Sequence, residues 1–365
     1  MDLCNQGGLP SNLTIAYNKS WEITLYENVK FSCYSVALPT IFLFGVVGNV
    51  LNIVTFSRSQ YRNTLDDIEK SATAGLIALA ISDLLFCFVG FPAPIIEKGR
   101  NSKFTAVKFF VSYYVIYKSP MMNVFLFSST WLVVAISIER YIAVVYPFQA
   151  RWFVQLKRTV MIDVMIYIFS ILFNLPGFMK YRIEYISCPD NQTVLTPRFT
   201  WLYQQTRFRE SYKIFWTVLG AFIPLVILTL CNIRLLVEVY RSRARYATDR
   251  HRYTTSKVTI ILIAIILMYL MLVCPSMLIG FFVTILPTHR AYFQYQMAVV
   301  ITNVTQGFNF AMNFILYCAV SKPFRDNLCR NLCRKDIGKT MPNSVDNHYQ
   351  LVDVTSETRC SSRKA

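Results

Sequence analysis

Charge is scarce in this chain of 365 residues: only 16% are Asp, Glu, Lys or Arg, against roughly 25% in soluble globular domains. That shortfall argues against a water-soluble fold of this size, against disorder, and against nucleic-acid binding as the reading of the net charge of +17. Histidine is rarer still. The three histidines, His251, His289 and His348, all fall outside the apolar runs, so no intramembrane metal cluster can be built from them. Hydrolytic triads, phosphate-binding loops and zinc motifs are lacking, and with them any sign of an enzyme. Internal repeats and paired helix breaks are lacking too, which disfavours a polytopic transporter, the alternative from another class. Residues 1–30 are polar, so no cleavable signal peptide is expected and the first apolar run serves as the insertion signal.

What the chain has in abundance is apolar length, with 54% of its residues hydrophobic. A helix needs about 20 apolar residues to cross a hydrocarbon core of about 30 Å. Seven runs meet that need, at Tyr34–Phe56, Ala74–Ile96, Phe109–Val145, Val160–Phe178, Ile214–Tyr240, Val258–Leu286 and Phe293–Val320. They are too long, and alternate too little, for barrel strands. Basic residues concentrate in the segments that lie inside if the N-terminus is outside: Arg58, Arg62 and Lys70, then Arg151, Lys157 and Arg158, then Arg241 to Lys257, and the tail beyond Val320. Sequons at Asn12, Asn18 and Asn191 fall on the proposed outer side, whereas that at Asn303 lies within the seventh run. The expected fold is therefore an all-α membrane protein, a seven-transmembrane helix bundle in the plasma membrane. Residues 1–33 form an extracellular tail, 34–320 the bundle, 321–334 a short amphipathic C-terminal helix and 335–365 a cytoplasmic tail.

An ionisable residue inside the bilayer costs about 2.5–3.5 kcal/mol on insertion scales. Asp83, flanked by Leu79-Ala80-Ile81-Ser82 and Leu84-Leu85-Phe86, is the clearest instance. Gln306, Asn309, Asn313 and Tyr317 recur at steps of three or four and form a polar stripe on one face of the seventh run. Asn49, Asn52, Ser128 and Ser129 add polar groups from the first and third. The stripe reads either as a functional site or as interhelical hydrogen bonding alone. Glu139 and Arg140 are adjacent and cannot share a helix face, so the acid restrains Arg140 only at an angle; an arginine snorkelling to water is the bland reading.

Taken in order, these residues resemble the rhodopsin-like (class A) G-protein-coupled receptors, most of all the neuropeptide receptors of invertebrates. The resemblance rests on Gly48-Asn49-Val50-Leu51-Asn52, Leu79-Ala80-Ile81-Ser82-Asp83, Glu139-Arg140-Tyr141, Tyr146-Pro147, Pro224, Pro275 and Asn313-Phe314-Ile315-Leu316-Tyr317, where Phe314 replaces a proline. Departures accompany it. Val115 stands where the third helix usually carries a cysteine, Val273 where the sixth carries an aromatic, and Thr255 where an acid can hold Arg140; the fourth helix lacks its tryptophan.

The resemblance implies a receptor for an extracellular ligand that activates heterotrimeric G proteins, with arrestin and membrane lipids as further partners and no cofactor beyond an allosteric sodium ion. It implies that Asp83, Ser129, Asn309 and Asn313 form the sodium pocket, and that Glu139, Arg140, Tyr141, Pro224, Tyr269, Pro275 and Tyr317 serve coupling and switching. Met122 occupies the approximate place of the aspartate of amine receptors, which argues against a biogenic amine; the aromatic, sulfur and amide groups expected at the outer ends of the helices suit a peptide, with a non-peptide ligand of a receptor of the same fold as the alternative. Glu97, Tyr117, Lys118, Met121, Met122, Trp216, Gln296 and Asn303 are the candidate contacts, each with packing or lipid contact as its alternative. Cys33 and Cys188 both lie near the helix mouths and are a candidate disulfide, with Cys188 free or joined to Cys4 as alternatives. Cys329 and Cys333, four apart among Arg330, Arg334 and Lys335, suit palmitoylation on a surface helix, or are reduced cytosolic thiols.

Overall fold

The computed structural model describes residues 20–58, 62, 65–99, 102, 104–187, 193–245, 264, 267–285 and 292–333. Among them, six helices are long and apolar enough to cross a membrane: Trp21–Ser57, Asp67–Lys98, Thr105–Val145, Leu156–Phe178, Thr206–Glu238 and Phe293–Val320. A shorter apolar helix, Leu267–Ile279, supplies the sixth span in chain order, so that Phe293–Val320 is the seventh. The chain is a multi-pass, seven-transmembrane helical protein. A short helix, Lys322–Cys333, follows the last span. Residues Met1–Leu328 form one compact unit and Cys329–Ala365 a second; in the second, Cys329 is exposed.

The helices outrun the apolar runs at several ends, because backbone hydrogen bonding and not hydropathy decides where a helix stops. Asp66 and Glu69 form a capping box that starts the second span, with the Asp66 amide donating to Glu69 Oε2 at 3.4 Å. The third helix has 41 residues, about 60 Å at 1.5 Å per residue, twice the thickness of a hydrocarbon core. The largest difference is at the start. The first helix begins at Ser20, well before Tyr34, and passes through a π-helical turn at Ser32–Ala37, where the Leu38 amide reaches back to the Cys33 carbonyl.

Pro39 follows that turn, and Pro224 follows a second one at Val218–Phe222. A proline ring collides with the carbonyl four residues earlier; the wider π turn moves that carbonyl away and absorbs the collision without ending the helix. Near Pro275 the helix is instead interrupted at Val273.

The interior is a continuous apolar core. Leu79, Phe127, Leu132, Phe310 and Phe324 are fully enclosed, and Phe86 stacks on Phe310 with ring centroids 3.8 Å apart. Gly48 lets the first and seventh spans approach: a Cβ there would meet Phe314 Cβ at 2.9 Å. After the fourth span the chain forms the one hairpin among the described residues, β1 (Tyr181–Ser187) paired antiparallel with β2 (Thr193–Phe199) and Tyr181 opposite Phe199. Glu184 lies between Arg182 and Arg198 at 2.6 and 2.8 Å. The Thr200 hydroxyl and amide tie the base of the hairpin to the carbonyls of Met179 and Lys180.

Candidate functional site

Three polar regions follow one another along the bundle. At its centre, Asp83 is fully buried and both carboxylate oxygens are used: Ser129 Oγ donates to Oδ1 at 2.8 Å and Asn313 Nδ2 to Oδ2 at 2.6 Å. The second, third and seventh spans are thereby joined through one side chain. The first span is joined beside it, since Asn49 Nδ2 donates to the Phe310 carbonyl at 2.9 Å and Asn52 Nδ2 to Asn49 Oδ1 at 3.3 Å. Asn309 is buried one turn before Asn313, and Asn313 Oδ1 is buried with no hydrogen-bond partner. Tyr269, from the sixth span, is buried with its hydroxyl 2.9 Å from Thr130 Oγ1. Tyr317 packs between Phe56 and Phe324.

At one end of the bundle lies Arg140, only 3% exposed. Its Nη2 donates to the Ile68 carbonyl at 3.3 Å, and its Nε has no partner. Glu139 points elsewhere: Thr159 of the fourth span donates to its Oε1 at 2.6 Å, and its Oε2 is buried and unpartnered. Among the described residues no ion pair joins Glu139 to Arg140. The two side chains diverge: adjacent positions do not share a helix face, and Thr159 draws the acid toward the fourth span. Tyr141 packs edge-on against Tyr146 at 6.0 Å. Thr255 lies outside the described residues.

At the opposite end, on the side of the hairpin, a cavity of about 560 Å³ opens between the first, second, third and seventh spans. Of the expected contacts, Glu97, Lys118, Met122 and Asn303 line it. Lys118 Nζ lies 2.7 Å from Glu97 Oε1 and 5.8 Å from the centre of the Tyr114 ring. The burial cost of the ammonium is offset in this way by a carboxylate and an aromatic face.

The other four expected contacts are placed elsewhere. Tyr117 stacks with Phe178 at 6.2 Å, Met121 is 38% exposed on the third helix, and Trp216 donates its indole N–H to Asn174 Oδ1 at 3.0 Å. Gln296 is not in the cavity wall; it accepts from the Tyr26 hydroxyl at 3.5 Å. The residues absent from the expectation are chiefly those of the first helix: Glu27, Lys30, Phe31, Tyr34 and Leu38 all line the cavity. Their spacing of three, four, seven and eleven from Glu27 is one helical face, a signal readable in the sequence.

Among the described residues Cys33 has no disulfide partner. Cys188, Cys4, Asn12, Asn18 and Asn191 lie outside the described residues, as does the side chain of Cys333.

Residues 48–317 match the family model described as 7 transmembrane receptor (rhodopsin family). Among curated proteins, the neuromedin-U receptor 2 of Rattus norvegicus is 26% identical over 80% of this chain and 73% of its own length. The type-1 angiotensin II receptor B of Xenopus laevis is 25% identical over 93% of this chain and 90% of its own. The sex peptide receptor of Drosophila melanogaster is 22% identical over 93% and 82%.

Proposed function

The chain belongs to the rhodopsin family of seven-transmembrane receptors, and from that premise we propose that it binds an extracellular peptide and activates heterotrimeric G proteins. It is a signalling receptor and not an enzyme. The observation that carries the peptide reading is the cavity of about 560 Å³ beside the Lys118–Glu97 pair. It falls in the 300–1,000 Å³ range of ligand pockets and combines aromatic, amide and charged walls suited to side chains and a peptide backbone. The relatives named for neuromedin U, angiotensin II and sex peptide support the same ligand class.

The hairpin end then faces outward and the Arg140 end the cytoplasm of a cell bounded by this plasma membrane, an orientation supported by the basic residues Arg58, Arg62, Arg151 and Arg158 beside the latter. Asn12, Asn18 and Asn191 are glycosylated outside, and Cys329 and Cys333 carry palmitate at the inner leaflet. Arrestin and anionic lipid share the cytoplasmic face with the G protein. Binding works by population shift: the peptide favours the state to which it binds more tightly, and only that difference in affinity drives the change. Arg140, which among the described residues has no carboxylate to release, exchanges the Ile68 carbonyl for contacts with the G protein.

The centre fits a sodium ion. Asp83 supplies one carboxylate, Ser129 and Asn309 neutral oxygens, and the partnerless Asn313 Oδ1 a further one. A bound sodium would neutralise Asp83 in the inactive arrangement and hold the second, third and seventh spans together.

The test is a neuropeptide-library screen on cells expressing the full chain with promiscuous G proteins, followed by nucleotide exchange on purified G protein. One potent agonist that drives exchange is the expected result. Silence across the library, with solute flux in proteoliposomes containing the chain alone, would sink the reading. Lys118→Ala is expected to weaken agonist potency about tenfold while leaving surface expression intact; unchanged potency removes Lys118 from the site.

A further inference from the structure

Two arginines stand directly opposite one another in the hairpin. Arg182 and Arg198 are register partners, so their side chains leave the same face of the ribbon, and like charges in that relation repel. Glu184, the next residue of β1 on that face, lies 2.6 and 2.8 Å from them. One carboxylate between two guanidiniums leaves a full positive charge, on side chains that are 61% and 54% exposed. The other face carries the aromatic groups. Tyr181 stacks on Phe199 at 5.1 Å, and the Lys180 ammonium sits 5.0 and 6.0 Å from the two ring centres.

The imbalance recurs at the start of the fifth span. Glu210 is shared by Arg209 at 3.4 Å and Lys213 at 3.8 Å, and Arg207 is exposed with no hydrogen bond or ion pair among the described residues. The two sets are joined through the hairpin base: Gln204 Nε2 donates to the Phe199 carbonyl at 3.2 Å, and Tyr203 packs edge-on against Phe208 and Tyr212 at 5.7 and 6.4 Å. From Lys180 to Lys213 the sequence sets these six cations against three acids, Glu184, Asp190 and Glu210. Trp201, between the sets, is 71% exposed. None of the residues lining the cavity comes from the hairpin or from the fourth or fifth span, so a peptide seated in the cavity leaves this surface free.

Resting on the outward orientation proposed above, we propose that the hairpin and the start of the fifth span dock a sulfated polysaccharide of the cell surface. The opposed arginines take one sulfate as the second anion that Glu184 alone does not supply, and their planar forks suit its paired oxygens. Arg207, Arg209 and Lys213 take sulfates further along the polymer, and Trp201 offers a flat apolar face to a sugar ring. Each exposed contact is weak; a polyanion with charges at repeating intervals engages both sets at once and gains by multivalency. The bilayer on this side offers no comparable field, because the anionic lipids lie in the cytoplasmic leaflet.

The experiment uses intact cells that make no glycosaminoglycans of their own and express the full chain with an N-terminal tag, so that the membrane hides the basic inner face. The probe is fluorescent heparin, with poly-glutamate and hyaluronan, which carries carboxylates and no sulfate, as competitors. Heparin is expected to bind in proportion to surface tag, to be released by salt, and to resist both competitors at matched charge. The double variant Arg182→Gln, Arg198→Gln is expected to weaken binding about tenfold, and Glu184→Gln to strengthen it about threefold. These opposite signs separate charge from folding, since a collapsed hairpin would weaken both. Arg151→Gln, on the inner face, should change nothing. Heparin that does not bind, that binds the double variant as tightly as the parent, or that loses affinity with Glu184→Gln would each overturn the proposal. Displacement by hyaluronan or poly-glutamate at matched charge would replace the sulfated glycan by another polyanion, and binding only after permeabilisation would overturn the proposal together with the orientation. Heparin binding without any G-protein response would sink the signalling reading alone. A potent agonist acting on a chain that ignores heparin would sink this proposal alone.

Discussion

The centre of the bundle and its Arg140 end both bury an ionisable side chain, and they do so in opposite ways. Asp83 has every carboxylate oxygen satisfied, by groups on two other helices. Arg140 has one long bond to a backbone carbonyl and a bare Nε, and its neighbour Glu139 has a bare Oε2. A satisfied buried polar group stabilises one arrangement of helices; an unsatisfied one costs about 1–3 kcal/mol that a new partner can recover. The centre is therefore built to hold a state, and the Arg140 end to exchange it for another.

The sharpest way to break this contrast is to delete both groups. Asp83→Ala strands the Ser129 hydroxyl and the Asn313 amide, at about 1–3 kcal/mol each, so a loss of about 2–6 kcal/mol of stability is expected. Arg140→Ala removes a guanidinium that is poorly partnered already and should cost about 1 kcal/mol or less, while abolishing agonist-driven nucleotide exchange. Thermal melts of the two purified variants, with expression matched, check the pair. Equal destabilisation would mean that Arg140 is as firmly held as Asp83.

Sodium offers the next largest effect and separates the two regions by ligand. If the ion occupies the Asp83 centre only in the inactive state, raising sodium must lower agonist affinity, with a coupling of about 1–3 kcal/mol. Replacing sodium by a bulky organic cation should raise agonist affinity correspondingly. Asp83→Asn should flatten the dependence, and Arg140→Ala should leave it in place. Competition binding at graded sodium decides the matter; a dependence that survives Asp83→Asn places the ion elsewhere.

How much of this was legible beforehand differs between the regions for a physical reason. The spans were legible because a bilayer demands apolar length, and Asp83 because a carboxyl in such a run is costly. The divergence of Glu139 and Arg140 followed from adjacency on a helix. The cavity was not legible from hydropathy, since part of its first-helix wall, Glu27, Lys30 and Phe31, precedes the apolar run. The helix continues there with one side toward water and Tyr26 and Tyr34 bonded to the seventh span, and the spacing of Glu27, Lys30, Phe31, Tyr34 and Leu38 is the sequence signal of it. Trp216 is ambiguous in the sequence because an aromatic ring marks a pocket as readily as a packing site; its indole N–H is bonded to Asn174. The hairpin is not legible in hydropathy because strands of seven residues are far shorter than the runs that mark membrane spans.

A smaller effect tests why Arg140 lacks a carboxylate partner. Thr159 holds Glu139 Oε1 at 2.6 Å toward the fourth span. Thr159→Val preserves shape and deletes that donor, and Arg140 is the cation whose charge acts on the released carboxylate. The new pair would restrain Arg140, so basal nucleotide exchange should fall about fivefold, the equivalent of about 1 kcal/mol. An unchanged or raised basal rate would show that Thr159 does not govern the acid.

The smallest effect lies where the two regions meet, at Tyr269. The Thr130 hydroxyl lies 2.9 Å from the Leu126 carbonyl; with its single hydrogen donated there, the contact between Thr130 and Tyr269 takes its hydrogen from the tyrosine. Tyr269→Phe therefore removes a donor without orphaning one: Thr130 keeps its bond to Leu126 and loses only an incoming hydrogen on an oxygen already engaged. The stability cost should sit at the low end for a hydrogen bond, about 0.5 kcal/mol, well below that of Asp83→Ala. The sixth span nevertheless loses this side-chain bond to the third, so basal nucleotide exchange should rise while the melting temperature scarcely moves. A large drop in melting temperature with no change in exchange would instead make Tyr269 part of the rigid centre, and would move the boundary between the holding and the exchanging regions past the sixth span.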